Sequence, residues 1–284
     1  MYCKKLSRLR GHDAMNTYPK IALVTGGARR LGRSIALRLA RDGWDVAVHF
    51  GQSENDALDT VLAIQRLGRH AVALRADFAE QSQVDTLIAQ CVAGLGLPDC
   101  VVNSASLFAY DDAAHFSPEQ FARHMQINAV APLTLSRDLY QARLEAKNIA
   151  SRAFDHPGVI INLLDQKLAN PNPDFLSYTL SKAALYQATT LLAQAYAPEL
   201  RVVGLAPGLT LISGDQTEQE FKQAHQQTPL GQSSTPEDIV SAVSFLASAH
   251  SITGTTLFVD GGQHLTPSAR DVMFLTRADT ATAK

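Results

Sequence analysis

Cysteine is scarce in this chain, and it has neither a long apolar run nor an excess of one charge. Three cysteines, Cys3, Cys91 and Cys100, stand among 284 residues with no CxxC spacing, which argues against a disulfide framework and against a zinc site. No run approaches the ~18 consecutive apolar residues of a membrane span. These absences predict a cytoplasmic protein with no bound metal and no membrane partner.

The charge balance excludes another class of partner. A net charge of −2 and a pI near 6.5 give no electrostatic basis for binding nucleic acid. Basic side chains concentrate only in residues 1–18, where no acid precedes Asp13. We expect that segment to be a disordered extension, with a transit peptide as the alternative.

Apolar runs of strand length alternate with amphipathic helical patterns over most of the chain. Strands are predicted at 21–25, 45–50, 71–76, 100–102, 159–164, 201–205 and 256–259, and helices at 34–42, 56–67, 84–93, 121–146, 178–197 and from 235 onwards. This alternation is typical of α/β proteins. We predict a single doubly wound Rossmann domain over 19–265, with a mostly parallel seven-stranded sheet flanked by helices on both faces.

Two segments do not follow the alternation. Residues 209–234, rich in Gln, Thr and Ser, are too long for a plain connection and are predicted to form a lid. Residues 266–284 are expected to be an irregular tail.

The stretch TGGARRLG, residues 25–32, joins the first strand to the first helix. Backbone N–H groups and the positive end of the helix meet there, and both suit a pyrophosphate. We therefore predict a dinucleotide site with loop contacts from Gly26, Arg29, Arg30, Leu31 and Gly32.

The second strand indicates which dinucleotide is bound. An acid is expected near its end when the cofactor ribose has a free 2′-hydroxyl, but residues 46–53 contain none. Arg29, His49 and Ser53 could instead donate to a 2′-phosphate, which favours NADPH over NADH. Alternatively, Arg29 is a solvated surface charge.

The third strand ends near the expected position of the adenine. Asp77 follows that strand directly and could accept from the adenine amino group, with Phe78 beside it. A helix N-cap is an equally good interpretation of Asp77.

In LSYTLSKAAL, Tyr178 and Lys182 stand four residues apart on a predicted helix and therefore share a face. A tyrosine with an ordinary pKa near 10 is a poor acid or base at neutral pH, and a nearby ammonium would lower that pKa by stabilising the phenolate. We expect Lys182 to do this and also to reach the cofactor ribose.

Several motifs together resemble the short-chain dehydrogenases/reductases over residues 19–265. They are TGxxxxxG at the start, NSAS at 103–106, Asn128 within a helix, Tyr178-xxx-Lys182, and Pro207-Gly208 after the sixth strand. The resemblance implies cofactor contacts from Asn103, Ser104, Ala105, Pro207 and Gly208. It also implies that Asn128 anchors a water near Lys182, and that a homotetramer forms by pairing of the helices at 121–146 and 178–197.

One catalytic position departs from that family, since its serine, thirteen residues before the tyrosine, is Asp165 here. An ionised carboxylate only accepts hydrogen bonds, so it cannot donate to a carbonyl and would repel an alkoxide. It could take a proton from solvent and pass it toward Tyr178, which suits a substrate nitrogen. The alternative is that Asp165 caps the loop 166–177 and has no part in the chemistry.

Other departures resemble the pteridine reductases within that family. Arg30 replaces a small loop residue and is implied to lie between cofactor phosphate and substrate. Ser106 and Phe108 correspond to a serine that contacts the ligand and an aromatic that stacks on the pterin, although Phe108 could equally belong to the core. Phe175 corresponds to a pocket aromatic.

These observations predict NADPH-dependent reduction of a dihydropterin (dihydrobiopterin, dihydromonapterin or dihydrofolate) to its tetrahydro form. The predicted catalytic set is Asp165, Tyr178, Lys182 and Asn128, and the predicted substrate contacts are Arg30, Ser106, Phe108, Asp165, Phe175 and Tyr178. Two alternatives remain open: a carbonyl or enoyl reductase of another small substrate, and a non-catalytic NADPH-binding regulator. Turnover separates the regulator from the enzymes, and preference for flat nitrogen heterocycles over ketones separates the enzymes from each other.

Overall fold

A computed structural model describes residues 20–149, 154–212 and 216–275. The strands are β1 Ile21–Val24, β2 Asp45–Phe50, β3 Ala71–Arg75, β4 Cys100–Asn103, β5 Gly158–Leu163, β6 Leu200–Pro207 and β7 Thr256–Val259. The helices are α1 Arg30–Arg41, α2 Glu54–Arg66, α3 Gln81–Val84, α4 Leu87–Gly94, α5 Pro118–Met125, α6 Ala131–Ile149, α7 Leu176–Tyr196, α8 Glu218–Gln226, α9 Pro236–Ser248 and α10 Val272–Leu275. The predicted extension over 1–18 lies outside the described residues.

The seven strands form one sheet in the order β3-β2-β1-β4-β5-β6-β7, and every neighbouring pair is parallel. The order reverses direction between β1 and β4, which places the switch point of a doubly wound sheet at the end of β1. The predicted Rossmann fold is therefore confirmed.

Both faces of the sheet are covered, which explains why its central strands read as continuous apolar runs. All four residues of β1 and all six of β5 are buried. One core layer joins the sheet to α1, α2 and α9, and the other joins it to α4 and α6. With the sheet fixed from both sides, the carboxyl ends of β1, β4, β5 and β6 become a rigid platform.

The long helix predicted at 121–146 is interrupted in the structure. α5 passes into a single π-helical turn, Gln126–Val130, before α6 begins. Pro132 lies just after this turn, and because proline has no N–H, the carbonyl of Asn128 cannot receive the ordinary helical bond from four residues further on. A π turn inside a helix often marks a functional site, and this one contains Asn128.

The predicted lid and tail contain more regular structure than expected. Within 209–234, α8 is opened by a capping box in which Thr217 and Glu220 bond reciprocally to each other's backbone N–H groups. The expectation of an irregular tail is wrong for residues 272–275, which form α10 and pack against α8. The four consecutive apolar residues VMFL are the sequence signal for this docking.

Over the part of the chain that the structure describes, no helix is long and apolar enough to cross a membrane.

Candidate active site

A cleft of about 590 Å³ opens at the carboxyl ends of β1, β4, β5 and β6. The predicted site residues that line it are Gly26, Arg29, Arg30, Leu31, Gly32, Ser104, Ala105, Ser106, Phe108, Asp165, Tyr178, Lys182, Pro207 and Gly208. The predicted residues absent from its lining are His49, Ser53, Asp77, Phe78, Asn103, Asn128 and Phe175. The cleft is also lined by Leu209, Thr210 and Leu211 of the predicted lid, and by residues that the sequence did not indicate, namely Leu163, Leu164, Gln166, Gln263, Asp271, Val272 and Met273.

The glycine loop at one end of the cleft is packed too closely for larger side chains. A Cβ on Gly32 would lie 2.1 Å from the carbonyl oxygen of Gly26, and a Cβ on Gly26 would lie 3.0 Å from Cα of Ala105. Gly26 also has a positive φ of 63°, a backbone conformation that glycine adopts without strain. These glycines therefore let the loop, the start of α1 and the segment after β4 pack closely together, an arrangement typical of a loop that holds a pyrophosphate at a helix N-terminus.

Thr25, whose contribution the sequence did not indicate, holds the loop to the segment after β4. Its buried hydroxyl accepts from the backbone N–H groups of Ser104 and Ala105 at 2.9 and 3.0 Å. Asn103, at the end of β4, is buried and donates to Asn162 at 2.8 Å rather than lining the cleft. This bond links the ends of β4 and β5 beneath the cleft, and the cofactor contact predicted for Asn103 stays a prediction.

His49 has a different role from the one that was expected. It is buried, its Nδ1 accepts from the N–H of Gly26 at 3.1 Å, and its Nε2 lies 2.9 Å from the carbonyl oxygen of Ala76. Burial lowers its pKa to about 4. A neutral imidazole with both nitrogens occupied has no donor for a 2′-phosphate, so His49 supports the loop instead, with Phe78 stacked on its ring at 4.3 Å.

Arg29 and Ser53 lie together, as the sequence suggested, but an acid lies with them. The guanidinium of Arg29 donates to the Ser53 hydroxyl and forms an ion pair with Asp56 at 2.8 Å. Asp56 is on the first turn of α2, beyond the stretch of sequence in which an acid was sought. The Arg29 side chain nevertheless remains 59% exposed, so it faces solvent beside the loop.

Asp77 makes a local turn rather than a helix cap. Its carboxylate accepts from the N–H of Ala79 at 2.9 Å, and the side chain is exposed beyond the end of β3. An exposed carboxylate at this sheet edge remains compatible with the predicted adenine contact.

Arg30 connects the glycine loop to the lid. Its guanidinium donates to the carbonyl oxygen of Ile212 at 2.7 Å, and its backbone has a positive φ of 48°. A non-glycine residue in this region is uncommon and points to a local constraint. The side chain lines the cleft between the loop and the first residues of the lid.

At the other end of the cleft, Asp165 both caps the turn that follows it and contacts Tyr178. One carboxylate oxygen accepts from the backbone N–H of Lys167 at 2.8 Å and so caps a short 3₁₀ turn, Gln166–Ala169. The other accepts from the hydroxyl of Tyr178 at 2.8 Å. Capping and contact with the tyrosine are therefore simultaneous, because a carboxylate has two oxygens to offer.

The structure reverses the expected direction of the Tyr178 pKa. Burial raises it well above its ordinary value, and the neighbouring negative charge and hydrogen bond of Asp165 raise it further. Burial likewise raises the pKa of Asp165, against the opposing effect of its hydrogen bonds. Both shifts favour the protonated forms, so this pair is suited to hold a proton.

Lys182 lies close to Tyr178 but is bonded elsewhere. Its ammonium donates to the carbonyl oxygen of Leu163 at 2.8 Å and lies 5.9 Å from the centroid of the Tyr178 ring. Burial lowers its pKa to about 8, with the charge of Asp165 acting in the opposite direction. Lys182 is therefore a cation held at the cleft wall, not the group that sets the pKa of Tyr178 in this structure.

Asn128 is buried with its side chain fully engaged. Oδ1 accepts from the N–H of Leu107 at 2.7 Å, and Nδ2 donates to the carbonyl of Leu107 and to the hydroxyl of Ser181, both at 2.9 Å. These bonds fix the segment after β4 against α7. Pro132 also removes the ordinary helical donor to the backbone carbonyl of Asn128.

The predicted aromatic pocket residues stack on each other. Phe108 lies on Phe175 with ring centroids 4.3 Å apart and meets Tyr178 edge-on at 4.8 Å. Phe108 is 43% exposed and lines the cleft, whereas Phe175 is buried behind it. Phe108 thus presents a flat apolar face to the cleft, and Phe175 supports that face.

The C-terminal segment closes this end of the cleft. Met273 packs with Phe175 and Tyr178 in one buried cluster, and Asp271 joins it on the cleft wall. The negative charge of Asp271 contributes to the raised pKa values of both Asp165 and Tyr178. A dinucleotide loop, a proton-holding pair and a flat apolar wall therefore share one cleft.

Known proteins resemble this chain over nearly its whole length. The family described as Enoyl-(Acyl carrier protein) reductase matches residues 26–264. The 3beta-hydroxysteroid dehydrogenase 1 of Eggerthella lenta is 34% identical over 261 residues, which cover 87% of this chain and 95% of that protein.

Solved structures show the same likeness. The FolM Alternative dihydrofolate reductase 1 of Brucella canis, complexed with NADP, is 34% identical with a TM-score of 0.81 and covers 89% of this chain and 97% of its own. The protein of the same name from Brucella suis, also with NADP, is 34% identical with a TM-score of 0.78, covering 87% and 96%. With this fold, this glycine cradle and these relatives, the chain belongs to the short-chain dehydrogenases/reductases and is an oxidoreductase that uses a nicotinamide cofactor.

Proposed function

We propose that the protein reduces a 7,8-dihydropterin to its tetrahydro form with NADPH. The observation that carries this proposal is the 2.8 Å hydrogen bond from Tyr178 to Asp165, at the position where this family ordinarily has serine. An ionised Asp165 cannot donate to a ketone oxygen, whereas its raised pKa lets it take a proton from solvent and return it to Tyr178 for transfer to nitrogen.

The dinucleotide is held at the glycine end of the cleft. Backbone N–H groups at the N-terminus of α1 would bind the pyrophosphate, whereas those of Gly26 and Gly27 are bonded to His49 and hold the loop in shape. Arg29, exposed beside Ser53, is placed to bind the 2′-phosphate. The two FolM relatives were solved with NADP, which supports the choice of phosphorylated cofactor.

When bound, NADPH supplies the hydride that goes to C6 of the dihydropterin. Tyr178 holds the proton that N5 must receive, since its raised pKa keeps the phenol protonated. Asp165 accepts from that hydroxyl and can restore the proton from solvent, because it lies at the cleft wall. One hydride and one proton complete the reduction of the C6–N5 bond.

The remaining residues position the reactants. The exposed face of Phe108 offers a stacking surface for a flat heterocycle. Lys182 stays charged below a pH of about 8 and can bind the nicotinamide ribose. Arg30 and Ser106 supply donors on the cleft wall near the loop.

A carbonyl reductase is the second candidate, favoured by the name of the Eggerthella lenta relative, which acts on a hydroxysteroid. A ketone would require a donor where Asp165 stands. The two candidates therefore make opposite predictions about which substrates are turned over.

The deciding experiment follows NADPH oxidation with dihydrobiopterin, dihydromonapterin and dihydrofolate beside a panel of ketones. We expect turnover with the dihydropterins and not with the ketones. Turnover of ketones with inert dihydropterins would leave only the short-chain oxidoreductase assignment standing.

Two variants of Asp165 distinguish a role in proton transfer from a role as the cap of the turn that follows it. Asp165→Ser introduces the family's residue, and Asp165→Asn keeps an acceptor for the N–H of Lys167, since Asn caps as well as Asp. We expect both to lose about a hundredfold in kcat for dihydropterins, with NADPH affinity unchanged. Full activity in Asp165→Asn would mean that the carboxylate serves only as a cap.

The assembly that we propose is a homotetramer built on the helices at 121–146 and 178–197. Large apolar side chains on α7, namely Leu180, Tyr186 and Leu191, are 45%, 42% and 55% exposed in the single chain. Covering such surface is favourable. Light scattering on the purified protein would give the mass, and a monomer at micromolar concentration would refute this assembly.

A further inference from the structure

The C-terminal segment brings a second carboxylate, that of Asp271, to the chemical end of the cleft. Asp271 comes from far along the chain, yet it shares the cleft wall with Asp165 and Tyr178. Its charge acts on both of them, so it lies near the place where the substrate's reacting atoms must sit. The reduction described above makes no use of this group.

Ion pairs and a backbone hydrogen bond hold this C-terminal segment to the rest of the fold. Asp174, which is buried, accepts from the guanidinium of Arg270 at 2.8 Å and from the backbone N–H of Asp271 at 2.7 Å. Lys167, also buried, lies 3.4 Å from the carboxylate of Asp271. Asp271 is therefore held in place by the backbone and by Lys167, independently of any ligand.

The carboxylate of Asp271 retains accepting capacity. One oxygen accepts from the N–H of Met273 at 3.2 Å, and the other faces Lys167 at a distance longer than a good charged hydrogen bond. A carboxylate offers about four acceptor sites. The side chain is 16% exposed, so at least part of it can reach a bound molecule.

We propose that Asp271 determines substrate specificity by accepting hydrogen bonds from hydroxyl groups on the C6 substituent of the dihydropterin. This inference rests on the proposed function, because C6 and N5 must lie beside Tyr178 for reduction. The C6 substituent then projects from the reacting edge toward the neighbouring wall, where Asp271 stands. A short polyhydroxylated substituent supplies the donors that a carboxylate needs.

The same carboxylate selects against an acidic substituent. Asp165 and Asp271 place two carboxylates near this wall, and the buried ammonium of Lys167 is the cation that faces Asp271 there. The C6 substituent of dihydrofolate has no hydroxyl to donate to Asp271, and its glutamate adds negative charge beyond the benzoyl group, which these carboxylates repel. Dihydrofolate should therefore be a poorer substrate than a dihydropterin with a polyol substituent.

The test compares three substrates in the wild type and in Asp271→Asn: dihydrobiopterin, which has hydroxyls, 6-methyl-7,8-dihydropterin, which has none, and dihydrofolate. We expect the wild type to prefer dihydrobiopterin over the 6-methyl compound by about ten- to a hundredfold in kcat/KM, as hydrogen bonds to a charged group allow. Asp271→Asn should remove most of that preference through KM. It should also improve dihydrofolate relative to dihydrobiopterin.

A matched control separates recognition from fastening. Arg270→Gln breaks the ion pair with Asp174 that holds the segment, but Arg270 does not line the cleft. It should leave the preference among the three substrates as in the wild type.

The possible results distinguish a failure of the specificity role from a failure of the proposed function. An unchanged preference in Asp271→Asn, or an equal loss with all three substrates, overturns the specificity role while the proposed function stands. The same change of preference in Arg270→Gln assigns the effect to fastening of the segment and also overturns it. No wild-type turnover with any of the three overturns the proposed function itself, and this inference with it.

Discussion

Acid should weaken the folded protein through His49. Its imidazole is buried, accepts from the N–H of Gly26 and faces the carbonyl of Ala76. Protonation would place a charge in the core and remove the acceptor for the glycine loop. Because the pKa of His49 is about 4 in the folded chain and 6.5 ordinarily, the unfolded chain takes up the proton first as the pH falls.

The direction and size of the change in stability follow from this difference in the pKa of His49. Stability contributed by neutral His49 is fully present above a pH of about 6.5 and is lost progressively as the pH falls toward 4. The whole difference in pKa corresponds to about 3 kcal/mol of stability, and about 2 kcal/mol of it should be lost between pH 7 and pH 5.

The assay is urea unfolding at pH 7 and at pH 5 for the wild type, His49→Gln and His70→Gln. Because glutamine does not titrate, His49→Gln should lose about 2 kcal/mol less stability than the wild type between pH 7 and pH 5. His70 is exposed, and His70→Gln should behave as the wild type does.

If His49→Gln folds poorly, the protonation state of His49 can be measured directly in the wild type. Proton NMR of the wild type should show His49 still neutral at pH 5. Titration of His49 near pH 6.5, or identical acid sensitivity in His49→Gln and the wild type, would refute the reasoning.

Two further predictions concern the cleft. Gly32→Ala would place a Cβ 2.1 Å from the carbonyl oxygen of Gly26, so it should lower the free energy of unfolding by about 1–3 kcal/mol and abolish NADPH binding. In the control Gly51→Ala the nearest neighbour of the added Cβ is 3.9 Å away, and both the free energy of unfolding and NADPH affinity should stay near those of the wild type. Wild-type NADPH affinity in Gly32→Ala would contradict the role assigned to the glycine loop. Lys182→Met removes a buried cation with a pKa of about 8, which should raise the free energy of unfolding by about 3 kcal/mol at pH 7. The Leu163 carbonyl loses its donor, which should lower it by about 1–3 kcal/mol. Urea unfolding should therefore find this inactive variant at least as stable as the wild type, and a clear loss of stability would contradict the buried-charge argument.

The alternation of strand and helix patterns predicted the parallel sheet because these periodicities are local and the central strands, such as β1 and β5, are buried on both faces. The glycine loop, Tyr178, Lys182 and Asp165 were likewise recognisable, since each depends on a short spacing within one element or turn. The structure brings all of them to one cleft. The family resemblance carried by these motifs is confirmed by the match over residues 26–264.

Other parts of the site depended on residues that are remote in sequence. The direction of the Tyr178 pKa is set by burial and by Asp165, whereas the four-residue spacing to Lys182 suggested the opposite. His49 looked like a donor because nothing in its strand shows that both of its nitrogens are bonded within the core.

By itself, the sequence determined the fold class and the positions of the glycine loop and of the Asp165, Tyr178 and Lys182 set, because periodicity, turn chemistry and short spacings are properties of neighbouring residues. Only the tertiary structure decided that the tail closes the cleft and that Asp271 reaches the substrate end. The physical reason is that burial and charge are summed over every element that packs around a group, and chain order does not record which elements those are.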